Sequence, residues 1–241
     1  MERGVTLLPL MLLPGMMCDA RLFQAQIDGF GTTREIVSPA LTQGDSVESI
    51  AAVLLREAPP VFNLGGLSMG GIVAMEMLRQ APDRIARLAL LDTNPLVERP
   101  EIAALRKPQI TKVRDGQLIS VMRDEMKPNY LAPGPRRAGI LDLVVDMARD
   151  LGSEVFIRQS RALQTRPDQQ DTLRRFKGPA LVLCGESDTL CPVSRHELMA
   201  AAIPDAELVV VPKAGHLPVL EQPEVVNTAL ERWLSRPVYS E

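Results

Sequence analysis

The sequence predicts an α/β domain: a mainly parallel sheet of about six strands, flanked by helices, with a helical insertion after the fourth strand. Three observations predict it. Short apolar, β-branched runs bounded by turn residues recur at 6–13, 34–38, 60–64, 86–92, 179–184 and 207–211. Helix-length amphipathic stretches lie between most of them, at Val47–Glu57, Met69–Gln80, 194–202 and Pro223–Ser235. From 97 to 170 the alternation stops, and helical patterns at 116–126 and Arg137–Leu151 are separated by Pro128, Pro133, Gly134 and Pro135. Strand alternating with helix implies a parallel sheet covered on both faces.

The first run needs the most care. An apolar stretch from Val5 to Leu13 behind Glu2 and Arg3 resembles the core of a secretory signal. Its leading segment has no net positive charge, no small-x-small site follows, and Pro9 and Pro14 interrupt it, so it is read as a buried strand. The last helix is the plainest element. Pro223 opens it, and Val225, Val226, Ala229, Leu230 and Trp233 share one face. The chain is expected to form one unit, 1–241, with the insertion at 97–170 as a helical cap.

Composition narrows the classes of function. The 241 residues are 46% apolar and 24% charged, with a net charge of −3. No basic run points to nucleic acid or an anionic membrane, and no apolar run reaches membrane-spanning length. Aromatics are 3% of the chain against 11 methionines, so thioethers must fill space that rings usually fill. Cys18, Cys184 and Cys191 are odd in number and lack metal-type spacing. They are expected to be free thiols in a reducing, cytoplasmic setting, with Cys184 in the core. The segment 97–170 holds 13 Lys/Arg against 10 Asp/Glu, read mainly as a solvated helix surface and secondarily as a hint of a carboxylate-bearing substrate.

The chemistry concentrates in three places. Gly66-Leu67-Ser68-Met69-Gly70-Gly71 follows an apolar strand and opens a helix. A serine hydroxyl is a weak nucleophile, and a sharp strand-to-helix turn presents it to a base. Glycines at 66 and 70 leave room for that turn, while the helix N-terminus aims N–H groups at the reacting centre. The base is expected to be His216, in the loop after the last strand; the chain's other histidine, His196, is read as a solvated helix residue. Asp188, in the loop after the fifth strand, is expected to orient His216, with Glu186 and Asp92 as rivals. The N–H groups of Met69 and of Met16, in the loop Leu13-Pro14-Gly15-Met16-Met17, are the expected oxyanion donors. Met16, Met17 and Met69 would then form a soft pocket wall.

These pieces, with Gly185-Glu186-Ser187-Asp188 and Gly215-His216-Leu217-Pro218 running on to Glu221-Gln222-Pro223-Glu224, resemble the α/β-hydrolase superfamily. Within it the chain resembles the small carboxylesterase and enol-lactonase branch, which includes pimeloyl-carrier-protein methyl ester esterases and 3-oxoadipate enol-lactonases. The chain departs at Pro14-Gly15, where relatives usually carry His-Gly, and opens at what corresponds to the family's third strand. The resemblance implies a serine hydrolase acting on a small-molecule ester or lactone through an acyl-enzyme on Ser68, with neither metal nor organic cofactor. The alternatives are thioester or C–C bond hydrolysis on the same residues, and a non-catalytic receptor built on the same fold. The sequence carries no signal for an oligomeric state.

Overall fold

The computed structural model describes residues 7–126 and 130–238. Thr6 of the first expected strand, the leading residues Glu2, Arg3 and Val5, and Pro128 lie outside the described residues. The strands are β1 (Leu10–Leu13), β2 (Ile36–Val37), β3 (Phe62–Leu67), β4 (Ile85–Leu91), β5 (Ala180–Gly185) and β6 (Ala206–Val211). They form one parallel sheet in the order β2-β1-β3-β4-β5-β6. The helices are α1 (Gln24–Phe30), α2 (Val47–Glu57), α3 (Met69–Gln80), α4 (Pro100–Arg114), α5 (Leu118–Ser120), α6 (Arg137–Leu151), α7 (Ser153–Gln164), α8 (Gln170–Arg175), α9 (Val193–Ala202), α10 (Pro218–Glu221) and α11 (Pro223–Ser235).

The alternation of side chains along each strand divides the core in two. Met11 and Leu13 of β1, Leu88 and Leu90 of β4, and Ala180 and Val182 of β5 join one cluster with residues of α2, α3 and α9. Leu10 and Leu12, Ala89 and Leu91, and Leu181 and Leu183 join the other, with Trp233, Leu230 and Val226 of α11. Central strands covered on both faces are apolar at nearly every position, which is why β4 and β5 stand out in the sequence. The edges differ from expectation. Ile36 and Val37 of β2 are only half-buried, and most of β6 is half-buried or exposed. An edge strand has one neighbour and needs less apolar cover. β3 runs three residues beyond its expected end, through Gly65 and Gly66 to Leu67. Its neighbour β1 packs so closely that a Cβ on Gly65 would sit 2.8 Å from Leu12 Cδ2.

Helices α4 to α8 occupy the chain between β4 and β5. The single helix expected at 116–126 is instead the short α5 followed by a π-helical turn, Val121–Met126. α4 carries Pro108 in its interior, and α7 buries Val155, Phe156, Ile157 and Leu163. This segment is tied to the loops after β1 and β2 by buried polar bonds. Gln159 accepts from Met17 N–H at 2.8 Å and donates to Leu41 O at 2.8 Å.

The strand order reverses between β1 and β3, because β2 lies on one side of β1 and β4 on the far side of β3. At such a switch point the loops leaving the two strands diverge and open a crevice at their C-terminal ends. Leu13 of β1 pairs with Gly66 of β3, so the loops starting at Pro14 and Ser68 emerge side by side. That closeness depends on glycine: a Cβ on Gly70 would lie 2.0 Å from Leu13 O. Gly70→Ala is therefore expected to destabilise the protein by about 3 kcal/mol or more. Gly139→Ala, exposed in α6 with nothing within 4 Å, is expected to stabilise it by about 0.5 kcal/mol. Urea denaturation of both variants checks the pair; equal midpoints would contradict the packing argument.

Candidate active site

Ser68 stands between β3 and α3 with φ 56° and ψ −117°. This is a left-handed backbone that costs a non-glycine residue of order 1–3 kcal/mol and persists only where surroundings enforce it. They do so here. Ser68 N–H donates to Leu91 O at 2.9 Å, and Thr93 Oγ1–H donates to Ser68 O at 2.7 Å. A Cβ at Gly66 would meet Gly70 O at 2.3 Å, so the turn closes only without side chains at both positions. The side chain of Ser68 is thereby pushed out of the elbow into the crevice.

His216 Nε2 lies 2.9 Å from Ser68 Oγ, and His216 Nδ1 lies 2.8 Å from Asp188 Oδ2. The structure thus brings together the three side chains that the sequence singled out, from the ends of β3, β5 and β6. Asp188 Oδ1 also accepts from the N–H groups of Leu190 at 2.8 Å and Cys191 at 3.1 Å. Burial alone would raise the Asp188 carboxyl. The imidazole of His216 and these N–H donors outweigh it and hold the group below its ordinary value. An ionised Asp188 requires the proton on Nδ1 and leaves Nε2 free to accept from Ser68. The loop holding His216 is fixed from behind by Glu221, whose buried carboxylate accepts from Gly215 and Leu217 N–H, and from Ala132 N–H at 2.8 Å. His216 N–H donates to Tyr130 O at 2.6 Å, and the Tyr130 ring meets the imidazole edge-on at 5.1 Å.

The loop after β1 passes directly over Ser68, since a Cβ on Gly15 would lie 3.5 Å from Ser68 Cβ. Among the described residues neither Met16 N–H nor Met69 N–H has a hydrogen-bond partner, and both residues line the crevice. The neighbouring Met17 N–H is taken by Gln159. Met17 corrects one expectation: its side chain is fully buried in the core rather than in the pocket wall. Met126, Ile102 and Leu163 line the crevice in its place.

His196 corrects another. It is fully buried, not solvated. Its Nε2 accepts from Thr93 N–H at 3.1 Å, so the ring proton sits on Nδ1, which points at Pro192 O 3.3 Å away. Burial lowers its pKa to about 4. It holds Thr93, and Thr93 in turn holds the carbonyl of Ser68. The signal was present in the spacing: His196 shares a helix face with Met199, which is also buried.

Asp92 and Glu186, the rivals of Asp188, stand apart from the imidazole bond. Glu186 is exposed and accepts from Lys213 N–H. Asp92 is buried, accepts from Gly185 N–H at 2.8 Å, and feels the charge of Asp188. Its Oδ2 receives no donor among the described residues. Burial, and then the charge of Asp188, raise Asp92 well above the ordinary carboxyl range. Cys191 Sγ, Asp188 and His216 have ligand-type atoms within 4.8 Å of one another. Burial first and the nearby Asp188 and Asp92 second push the Cys191 thiol up, away from the thiolate that a metal would require. Cys184, buried in β5, is pushed up to about 12, and all three cysteines are free thiols.

Ser68 and His216 open into a cavity of about 420 Å³. Its walls come from the β1 loop, the helices between β4 and β5, and the loop after β5, and include Met16, Arg106, Met126, Arg166 and Leu190. This volume fits a small organic molecule. Among the described residues no helix is long and apolar enough to cross a membrane.

Two outcomes follow from the buried polar groups. His196 has a folded pKa of about 4 against an ordinary 6.5, so the unfolded chain takes up this proton first as pH falls. That contribution to stability is complete above pH 6.5 and is lost between 6.5 and about 4, by about 3 kcal/mol at the lower end. Urea midpoints of wild type and His196→Gln across this range measure it; an NMR titration of His196 centred near 6.5 would refute it. Asp92→Asn keeps an acceptor for Gly185 N–H and is expected, by urea denaturation, to stay within about 1 kcal/mol of wild type. Asp92→Ala strands the Gly185 N–H and is expected to cost about 2 kcal/mol.

Comparison with known proteins agrees with this fold. The model of the alpha/beta hydrolase family matches residues 11–229. A pimeloyl-[acyl-carrier protein] methyl ester esterase of Aromatoleum aromaticum is 27% identical over 234 residues, covering 91% of this chain and 90% of its own. A thermophilic esterase from Thermogutta terrifontis, solved with malate bound, superposes with a TM-score of 0.87 at 30% identity, covering 95% of this chain and 90% of its own. The enol-lactonase from Burkholderia xenovorans LB400 shares the fold with a TM-score of 0.85 at 21% identity, covering 98% of this chain and 94% of its own. With a family model spanning most of its length and esterases among its relatives, the chain belongs to the α/β-hydrolase family and is a hydrolase.

Proposed function

We propose that the protein is a serine esterase that cleaves a carboxylic ester or lactone of a small molecule through an acyl-enzyme on Ser68. The observation that carries this reading is the unbroken hydrogen-bonded line from Ser68 Oγ through His216 to Asp188 at the floor of the cavity. His216 Nε2 takes the hydroxyl proton as Ser68 Oγ attacks the carbonyl carbon. Negative charge develops on the carbonyl oxygen, where the free N–H groups of Met16 and Met69 act as donors, aided by the N-terminus of α3. The imidazolium is stabilised by the ionised Asp188 and returns its proton to the leaving oxygen. Water, deprotonated by the same nitrogen, then attacks the acyl-enzyme and releases the acid. Thr93, His196, Asp92 and Glu221 act one step back, by holding Ser68, Asp188 and the His216 loop in register.

In this reading the whole chain, 1–241, acts as one unit, and the segment 97–170 is a cap that shapes the substrate cavity. Methyl ester and lactone chemistry is named for the relatives, and the apolar lining of Met16, Ile102, Leu105, Leu163 and Leu190 suits an aliphatic acyl chain.

Steady-state kinetics with short p-nitrophenyl esters test the proposal, and parallel assays of lactones and acyl-thioesters rank the bond types. Ser68→Ala is expected to lower kcat/KM by roughly 10³-fold or more, and Asp188→Asn by about 10³–10⁴-fold, because the wrong imidazole tautomer is then favoured. Turnover by Ser68→Ala at the wild-type rate would sink the reading.

A further inference from the structure

The cavity wall carries a charge that the esterase chemistry does not use. Glu98 is buried, its side chain only 1% exposed, and Arg106 grips it in a two-pronged contact, Nε to Oε2 and Nη2 to Oε1, each at 2.6 Å. Arg166 Nη1 reaches the same carboxylate at 3.2 Å, while its Nε donates to Leu96 O at 3.0 Å. Both arginine side chains are 11% exposed, and all three residues line the cavity that holds Ser68 and His216. Two guanidinium groups share one carboxylate, which leaves one uncompensated positive charge. Other charges on the wall cancel nearby: Glu125 pairs with Lys112 at 2.6 Å, and Arg99 with Glu101 at 3.3 Å.

Donor capacity is left over in the same place. Among the described residues Arg106 Nη1 has only the weak acceptor Met16 Sδ, 3.8 Å away, and Arg166 Nη2 has no partner. Met16 belongs to the loop that crosses Ser68, so the spare guanidinium edge adjoins the reacting centre. An excess charge held away from bulk water is costly until an anion meets it, and planar guanidinium donors match a carboxylate best. Burial already pulls the Arg166 guanidinium below its ordinary pKa, as an unmet cation would be.

We propose that Arg106 and Arg166, held by Glu98, form a carboxylate-binding subsite, so that the preferred substrate is an ester with a second, free carboxylate on its acyl chain. This inference rests on the esterase reading for turnover but not for binding. Anchoring the far end of the acyl chain fixes where the ester carbonyl falls relative to Ser68, so the subsite selects chain length as well as charge.

The test uses monomethyl esters of straight-chain dicarboxylic acids with four to eight carbons, each against the neutral methyl ester of equal length. At one chain length kcat/KM for the charged ester is expected to exceed that of its neutral match by roughly tenfold or more. Arg166→Gln is expected to lower that ratio by about tenfold, while Glu98→Gln, which removes the competing carboxylate, is expected to raise it. Opposite signs distinguish a subsite from a structural ion cluster, whose loss would move both variants the same way. Neutral preference at every length, or a drop in the ratio in both variants, would overturn the proposal. Calorimetric titration of wild type and Arg166→Gln with glutarate and adipate separates the two readings. If no ester turns over yet a dicarboxylate binds and the variant weakens it, the esterase reading fails and the subsite stands. No binding at millimolar dicarboxylate overturns the subsite.

Discussion

The close approach of α3 to the end of β1 is the constraint on which the rest depends. Gly70 lies against Leu13 O and Gly66 against Gly70 O, with no space for a side chain at either position. That contact forces Ser68 into a left-handed backbone and turns its hydroxyl outward. It also draws the Pro14–Gly15 loop over the same residue, so the hydroxyl shares one crevice with two backbone donors that have no partner among the described residues. The strain is offset by the burial of most of α3, from Met69 to Leu78, and by the bonds to Leu91 and Thr93.

Around this elbow, four acidic side chains sit in similar burial and behave differently because their partners differ. Asp188 meets an imidazole and two N–H groups and stays ionised. Asp92 is pushed up by burial and then by the charge of Asp188. Glu221 meets backbone N–H groups on both sides and joins the His216 loop to the segment 130–132. Glu98 meets two arginines and leaves them in excess. Each environment assigns its carboxyl a separate part, and their order depends on the segment between β4 and β5 that supplies Tyr130, Ala132, Gln159 and Arg166.

Legibility in the sequence followed burial and periodicity. β4 and β5 are apolar at almost every position because both their faces are covered, and the expected runs fall within a residue or two of them. The convergence of Ser68, Asp188 and His216 was legible because glycine-marked turns at strand ends are rare. The misreadings share a cause: they turn on what a side chain meets across space. His196 lies between Arg195 and Glu197, so its neighbours suggest a solvated face, yet its own face packs under Thr93. Met17 follows Met16 in the same loop, but its N–H is claimed by Gln159 from 142 positions away. α4 is hard to read from sequence because Pro108 interrupts it and, with only Ile110 and Val113 buried, it shows little apolar period. The Glu98–Arg106–Arg166 cluster spans separate elements, and local sequence carries no trace of it.

The most direct measurement is a crystal structure of the protein after reaction with a p-nitrophenyl alkylphosphonate, whose tetrahedral phosphorus mimics the attacked carbonyl. The account predicts phosphorus bonded to Ser68 Oγ, with its phosphoryl oxygen within hydrogen-bond distance of Met16 N–H and Met69 N–H and His216 Nε2 beside the ester oxygen. An adduct on another residue, or a phosphoryl oxygen turned away from both N–H groups, would contradict it.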